Sequence, residues 1–345
     1  MFEIDGSKKS GSGTILRLSL AISAITENPL HIFNIRNNRP KPGLKPQHLK
    51  AVITAGKLCN AKIRGAEINS TELWFTPKKN IGGVILSNIG TAGSISALIM
   101  TVLPICIFSK NPVRLCITKG GTDVSHSPTI NFMRFVFLKT LRKMGVQASI
   151  QVNSYGYYPK GMGEAILEVI PSISLNPINL DQFGEIKHIG GLSVSTFLKK
   201  QKVAERQANA AKAYLNQEGY AADIKVVYDE SNPFQKGSSI TLWAETTTGM
   251  VIGSDAIGAP RKSSEEVGRE AAKKLSKDLQ SKATVDANLS DMLIPFMALT
   301  KGKSSFLTRL ISDHLETNIW LMEKLLNTRF IITKMDNLYR ITKND

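Results

Sequence analysis

An internal repeat constrains the fold of this 345-residue chain more than any other feature of its sequence. The stretch NPLHIFNIRNNRPKPGLKPQHLK begins at Asn28, and the similar stretch NPVRLCITKGGTDVSHSPTINFMR begins at Asn111, an offset of 111 − 28 = 83 residues. The helix-opening prolines Pro46 and Pro128 lie 128 − 46 = 82 residues apart, so the two copies can be aligned almost without a gap. Self-similarity of this kind indicates successive copies of one supersecondary unit.

Each copy contains the same series of local signals. A Gly/Ser-rich turn opens an apolar helix, an Asn-Pro pair ends it, and a strand, a Gly/Pro-rich loop, a second helix and two closing strands follow. The first helix, the strand and the second helix are predicted at 15–25, 30–35 and 47–58 in the first copy, and at 95–103, 113–118 and 129–144 in the second. With an opening strand, each unit has the order βαβαββ.

A third copy is predicted near the C-terminus, where DMLIPFMALT, SSFLTRL and SDHLETNIWLMEKLL supply the helix, the strand and the second helix. It places His314 in the first turn of its second helix, and His48 and His126 lie at corresponding positions of the other copies. A helix start carries partial positive charge and disfavours a protonated imidazole. The pattern therefore favours histidines that are kept neutral for chemistry; the alternative is surface histidines tolerated near a helix cap.

Residues 184–280 match none of the copies, and their strands and Ala- and charge-rich helices predict a separate unit without chemistry of its own. The predicted fold class is α/β (α+β). Repeated βαβαββ units form a large domain over residues 1–183 and 281–345, and residues 184–280 form a smaller inserted α/β domain.

The charge balance points to a polyanionic partner. The formal net charge is +16, and the basic residues are spread along the chain, which fits nucleic acid better than an anionic membrane surface. Three cysteines without a CxxC pair predict buried thiols in a reducing, cytoplasmic setting. No signal-peptide pattern opens the chain, and the longest apolar run, ISALIMTVLPICIF, is too short to span a bilayer.

The segment IRNNRPKPGLKPQHLK, residues 35–50, is the first candidate site. It concentrates Arg36, Arg39, Gln47 and His48 on a loop that its prolines stiffen. Arginine forks suit bidentate phosphate binding, and Arg17 on the preceding helix could add a further cation. The alternative is an ordinary solvated basic loop.

Other stretches carry weaker signals. KGGTDVSHSP and SNIGTAGSIS are Gly-rich loops, but neither has the spacing of a Walker or dinucleotide motif. Asp291 precedes an apolar run, where it could bind a metal, orient an imidazole or simply cap the helix. Asp313 could cap the next helix, with Glu316 completing a capping box.

Together these stretches resemble the RNA 3′-terminal phosphate cyclase family. The resemblance rests on IDG…GTILR, IRNNRPKPGLKPQHL, IGTAGS, GGTD, YGYYPKGMGEA, DMLIPFMAL and DHLETN, and it extends from residue 5 to beyond residue 318. It implies repeated βαβαββ units with an inserted α/β domain. It also implies an ATP-dependent reaction in which a histidine takes AMP from ATP, AMP passes to an RNA 3′-phosphate, and the 2′-hydroxyl closes a 2′,3′-cyclic phosphate.

The resemblance implies a role for each matching residue. His314 aligns with the nucleophile. Residues expected to hold the RNA and ATP phosphates are Arg17, Arg36, Arg39, Gln47 and His48, and those expected around the nucleotide are Pro128, Phe132, Asn288, Asp291 and Met292. ATP with Mg²⁺ or Mn²⁺ is the expected cofactor set, an RNA with a 3′-phosphate the expected partner, and the metal ligands are not identified.

The chain departs from the family pattern on the nucleotide side. Ser10 stands where the family usually has a glutamate, and Met292 stands where a glutamine is common. These changes keep open a second interpretation, in which the protein is a non-catalytic relative of the family that binds RNA in ribosome or rRNA processing. A carboxyvinyl-transferase built on similar repeated units, acting on a small phosphorylated metabolite, is a third reading.

Overall fold

The computed structural model describes residues 1–344. The first unit begins each helix with a recognisable cap: Ser12 accepts a hydrogen bond from the backbone N–H of Thr14, and Pro46 occupies the first turn of the second helix. Its elements are β1 (Phe2–Asp5), α1 (Gly13–Thr26), β2 (Leu30–Phe33), α2 (Pro46–Cys59), β3 (Lys62–Arg64) and β4 (Leu73–Thr76). The sheet order is β1-β2-β4-β3, with β1 and β2 parallel and the other pairs antiparallel.

The second unit repeats this arrangement. Its first elements are β5 (Gly83–Asn88), α3 (Ile95–Ile107) and β6 (Val113–Gly120). The second helix is interrupted and consists of α4 (Ile130–Phe132), a π-helical segment (Met133–Phe137), α5 (Leu138–Leu141) and a 3₁₀ turn (Arg142–Met144). β7 (Gln147–Ser154) and β8 (Gly163–Ile170) close the unit, and the sheet order is β5-β6-β8-β7.

The third unit opens with a strand of only two residues, β9 (Asn179–Leu180), which the sequence patterns did not reveal. An inserted segment with its own sheet follows. Its elements are β10 (Ile186–Thr196), a 3₁₀ turn (Lys199–Gln201), α6 (Val203–Gln217), β11 (Asp223–Asp229), β12 (Gly237–Thr246), β13 (Val251–Ile257) and α7 (Ser264–Ser281). This sheet has the order β11-β10-β12-β13.

The chain then returns to the third unit. Its remaining elements are α8 (Ala287–Ala298), β14 (Ser304–Thr308), α9 (Asp313–Leu326), β15 (Arg329–Met335) and β16 (Leu338–Asn344). The sheet order β9-β14-β16-β15 is that of the other two units, again with a parallel first pair. The predicted fold class, with three βαβαββ units and an inserted α/β segment, is confirmed.

The helices of the three units pack against one another. α1 contacts α2, α3 and α9, and α8 contacts α9 and α3. Every residue of α3 except Met100 is buried, which explains why its sequence is apolar on all sides. A second apolar cluster lies between residues 189 and 279, within the inserted segment. We propose on this basis the division into residues 1–183 with 281–345 and residues 184–280, of which Asp345 lies outside the described residues.

Within residues 1–344, no helix combines the length and the apolar character required to cross a bilayer.

Candidate active site

The main candidate site is a cavity of about 420 Å³ where helices of the first and third units meet the inserted segment. Its wall includes α1, α8 and the start of α9. Six of the residues proposed from the sequence line it: Arg17, Pro128, Asn288, Asp291, Met292 and His314. The repeated units thus bring together groups that lie almost 300 residues apart in the chain.

His314 is the second residue of α9 and lies at the cavity wall. Ser312, rather than the predicted Asp313, caps this helix, and its hydroxyl accepts a hydrogen bond from the backbone N–H of Leu315 at 3.0 Å. The pKa of His314 is lowered from its ordinary value by partial desolvation and by the positive charges of Arg17 and Arg39, while Asp313 opposes the shift. The imidazole is therefore neutral at pH 7 and can act as a nucleophile.

Arg17 lies in the second turn of α1, where its Nη2 donates a hydrogen bond to Oγ1 of Thr14 at 2.9 Å. Desolvation lowers the pKa of its guanidinium to about 10, with Asp291 opposing and Arg36 adding to the shift. At pH 7 the group still carries its charge. It is a cation held in the cavity wall with no salt bridge among the described residues, which suits a ligand phosphate.

Asp291 lies in the second turn of α8, so the interpretation of this residue as a helix cap is wrong. The cap is Asp286, whose Oδ1 accepts hydrogen bonds from the backbone N–H groups of Asn288 and Leu289. Burial raises the pKa of the Asp291 carboxyl to about 7, and Arg17 opposes this shift. The backbone carbonyl of Asp291 accepts a hydrogen bond from Asn318 at 2.8 Å, which fixes α8 against α9.

The basic segment 35–50 lies beside the cavity and does not line it. Arg36 folds back on its own loop, because its Nη1 donates to the carbonyls of Lys41 and Gly43 at 2.8 and 3.1 Å. Arg39 is exposed, and its Nη2 donates to the carbonyl oxygen of Ser10 at 3.1 Å. Arg36 and Arg39, which are expected to hold phosphates, thus lie outside the cavity wall, although the charge of Arg39 still lowers the pKa of His314.

Gln47 and His48 serve as internal contacts. Oε1 of Gln47 accepts a hydrogen bond from the backbone N–H of Ser94 at 3.3 Å. His48 is buried, and its Nδ1 accepts from the backbone N–H of Lys45 at 3.2 Å. Desolvation, with nearby cations, lowers the pKa of His48 to about 3, so the ring is neutral. Its Nε2 lies against Gly13 at the start of α1, behind the cavity wall.

Two further expectations need correction. Phe132 is fully buried and packs near Gly253 of the inserted segment instead of facing the cavity. His126 does line the cavity, but it lies in the loop before α4 with a positive φ of 61° and not in a helical turn. Each of the three histidines thus lies near the start of the second helix of its own unit, but the three positions are not structurally equivalent.

The inserted segment contributes two cavity residues that the sequence did not identify, Asp255 and Lys274. Asp255 accepts a hydrogen bond from the backbone N–H of Thr129 at 2.7 Å, and Nζ of Lys274 donates to the carbonyl of Asp255 at 3.0 Å. Lys274 also pairs with Glu270 at 2.8 Å. The expectation that this segment carries no candidate site residue is wrong; a lysine in an amphipathic helix offers no local signal of such a role.

The expected divalent metal has no preformed set of protein ligands. Residues 1–344 contain no group of three histidine, cysteine or carboxylate side chains arranged to hold an ion. Ser10 supplies no carboxylate: its hydroxyl donates to Ser12, and its N–H donates to Thr317 on α9. Mg²⁺ commonly takes most of its ligands from phosphates and water.

Comparison with known proteins assigns the family. Residues 8–332 match the family model described as RNA 3′-terminal phosphate cyclase. The chain is similar to proteins of that name from Pyrococcus furiosus, at 44% identity over 96% of this chain and 94% of the relative, and from Pyrobaculum neutrophilum, at 42% over 98% and 96%. A relative of the same name from Caldivirga maquilingensis is 42% identical over 100% of this chain and 98% of its own length. The chain therefore belongs to the RNA 3′-terminal phosphate cyclase family.

Proposed function

We propose that this protein uses ATP to convert an RNA 3′-terminal phosphate into a 2′,3′-cyclic phosphate, with His314 as the nucleophile. The observation that carries the proposal is the placement of a neutral imidazole at a helix start, in the wall of a cavity that also contains Arg17 and Asp291. The family assignment supports the overall reaction, and the cavity supports the covalent route.

The first step is the attack of an imidazole nitrogen of His314 on the α-phosphorus of ATP. The new N–P bond forms as the P–O bond to the β-phosphate breaks, and pyrophosphate leaves. Free N–H groups in the first turn of α9 and the guanidinium of Arg17 are suited to stabilise the charge on the α-phosphate. Catalysis of this kind depends mainly on positioning and charge neutralisation.

In the second step an oxygen of the RNA 3′-phosphate attacks the same phosphorus, and the bond to His314 breaks. In the third, the adjacent 2′-hydroxyl attacks the RNA phosphorus and expels AMP, giving the cyclic phosphate. Asn288, Asp291 and Met292 of α8, with Pro128, line the part of the cavity we assign to the nucleotide. Phe132 is fully buried, so we assign it a supporting role behind this wall and no direct contact with the nucleotide.

Arg39 is the best candidate to meet the RNA phosphate at the cavity edge, because it is exposed and lies close enough to His314 to affect its pKa. Arg36, Gln47 and His48 support this edge by holding the loop and the start of α1 in place. We therefore assign direct phosphate contact to Arg17 and Arg39, and a positioning role to the other three.

The test is covalent labelling. The protein is incubated with ATP labelled at the α-phosphate and a divalent metal, and the labelled residue is identified by acid lability and peptide mass. We expect the label on His314 and its loss in His314→Ala. His188→Ala, at an exposed position on β10, is the matched control and should keep the label.

His126→Ala identifies which of the two cavity imidazoles reacts, since both line the same wall. Label on His126, or none on the wild type, would contradict the proposal. The replacement of the family's usual glutamate by Ser10 favours a second candidate, an RNA-binding protein without adenylyl transfer. That alternative predicts tight RNA binding with no label under any condition.

A further inference from the structure

Three loops between the second unit and the inserted segment expose aromatic rings to solvent. Tyr158 is 78% exposed, Phe234 is 59% exposed and Phe197 is 39% exposed. Single exposed apolar residues are common on protein surfaces and need no explanation. Three rings on loops that contact one another are a different observation, because contiguous exposed apolar area commonly marks an interaction site.

The loops are held together by hydrogen bonds. Asn232 is buried, and its Nδ2 donates to the carbonyls of Tyr155 and Gly161 at 2.7 and 3.0 Å, which joins the 155–162 loop to the 230–236 loop. The backbone N–H of Phe197 donates to the carbonyl of Asp229 at 3.0 Å, which joins the 197–202 loop to the end of β11, directly before the 230–236 loop. The rings therefore stand on a fixed base.

The three loops also carry exposed lysines. The same loops carry exposed Lys160, Lys199, Lys200, Lys202 and Lys236. The one exposed acidic residue within these three loops is Glu230. We call the surface formed by Tyr158, Phe197, Phe234 and these five lysines the aromatic–lysine surface.

This composition fits single-stranded nucleic acid. Aromatic rings offer stacking platforms for unpaired bases, and lysines neutralise the phosphates between them. Aromatic rings are common at protein interfaces as well, but a chain of the RNA 3′-terminal phosphate cyclase family has to bind an RNA end, which favours RNA over a protein partner. Double-stranded RNA has its bases already stacked and would also leave the rings unused.

The surface is connected to the cavity by one short segment. The backbone N–H groups of Thr122 and Asp123 donate to the carbonyl of Gly156 in the 155–162 loop, and His126 lies in the cavity wall. Three residues span at most about 11 Å. The loop that carries Tyr158 is therefore a neighbour of a segment that lines the cavity.

We propose that the aromatic–lysine surface binds the single-stranded segment that precedes the 3′ end of the RNA substrate. The proposal rests on the proposed function for its orientation, because the 3′ end must lie in the cavity. The rings stack with bases, and the lysines contact the backbone. The inserted segment thereby takes part in recognising the RNA, since two of the three loops belong to it.

The test measures binding by fluorescence anisotropy, with a 5′-fluorescein-labelled 12-nucleotide oligouridylate that ends in a 3′-phosphate. We expect Tyr158→Ser with Phe234→Ser to weaken binding by about tenfold or more, because loss of one base–ring stack alone typically costs this much. Lys199→Gln, Lys200→Gln and Lys236→Gln together should reduce the slope of log Kd against log salt by about 2. Circular dichroism melting checks that both variants fold.

Matched controls remove the same chemistry elsewhere. Val84→Ser with Ile173→Ser removes two exposed apolar side chains. Lys225→Gln, Lys273→Gln and Lys277→Gln together remove three exposed charges. These variants should bind the RNA like the wild type. A blunt 12-base-pair RNA duplex should bind with equal strength to the wild type and the Tyr158/Phe234 variant.

If the ring variant and the lysine variant are both folded and bind the single strand with wild-type affinity, the proposal is overturned. A protein partner would then be the better candidate for this surface. Equal losses in the controls would overturn it as well, by showing that binding follows total charge or apolar area. Failure of the proposed function is a separate result: binding through this surface with no label on His314 would refute the covalent mechanism and leave RNA recognition standing.

Discussion

Substituting Gly13 with alanine tests how the basic segment supports the active-site wall. An added Cβ at this position would lie 2.3 Å from Nε2 and 2.9 Å from Cδ2 of His48, whereas ordinary contacts begin at about 3.4 Å. The imidazole would have to move by roughly 1 Å, and it is buried on all sides. Such a shift also removes the 3.2 Å hydrogen bond from the N–H of Lys45 to Nδ1.

These effects set the expected magnitude. Overpacking a tight site typically costs about 1–3 kcal/mol, and a lost hydrogen bond adds about 1 kcal/mol. Alanine is the better helix former by up to about 1 kcal/mol, which offsets part of the loss. Gly13→Ala should therefore lower the free energy of unfolding by about 1–3 kcal/mol, measured by urea denaturation.

The cause is tested by a double-mutant cycle with His48→Ala. Removing the ring makes room for the new methyl group, so Gly13→Ala should cost little, or even stabilise, in the His48→Ala background. The two effects should differ by at least about 1 kcal/mol. Equal destabilisation in both backgrounds would refute the reasoning, because it would show that contact with the imidazole does not determine the need for glycine.

Two other predictions follow from the lowered histidine pKa values. His48 has a pKa of about 3 in the folded protein and about 6.5 unfolded, so its contribution to stability falls as pH decreases from 6.5 towards 3. The side chain introduced by His48→Gln does not titrate, so the free energy of unfolding of this variant should fall by about 2–3 kcal/mol less than that of the wild type between pH 7 and pH 4.5. Urea denaturation at both pH values measures this difference, and equal falls would contradict the prediction. For the proposed adenylylation of His314, the acid limb of kcat/KM for ATP reports the free protein and should lie below pH 6.5 in the wild type. It should move to higher pH in Arg17→Met, because that variant removes a positive charge that lowers the pKa of His314. A limb that stays in place while the rate falls would show that Arg17 acts only by binding phosphate.

Local patterns predicted the repeated units because each one carries its own capping and turn signals. Ser12, Pro46 and the left-handed Asn60 determine where α1 and α2 begin and end, and all three act within a few residues. The first-turn position of His314 follows from the same local rules, whereas its lowered pKa comes from desolvation and from Arg17 and Arg39, which are distant in the sequence. Sequence reasoning succeeded where the determining contacts are short in range.

It failed where the determining contacts are long in range. The stretch VDANLSDMLIP contains two aspartates that could begin α8, and Asp286 is the cap because its Oδ2 also accepts the backbone N–H of Gly253 from the inserted segment at 2.9 Å. β9 has two residues and exists through its pairing with β14, as in Asn179 with Ser305. Asp255 and Lys274 reach the cavity only because the inserted segment packs there.

Desolvation and the positive charges around the cavity explain why the free protein keeps the imidazole of His314 neutral. An ATP triphosphate bound beside the ring would raise the pKa of His314, because a nearby anion favours imidazolium. With an ordinary pKa in the free protein, the imidazole would become protonated when ATP binds beside it, and a protonated ring cannot attack phosphorus. Desolvation, together with the charges of Arg17 and Arg39, lowers the pKa of His314 in advance. In the proposed mechanism, the cations that neutralise the phosphates also keep the imidazole neutral, and the packing of α1 against α9 brings Arg17 and His314 to the same cavity.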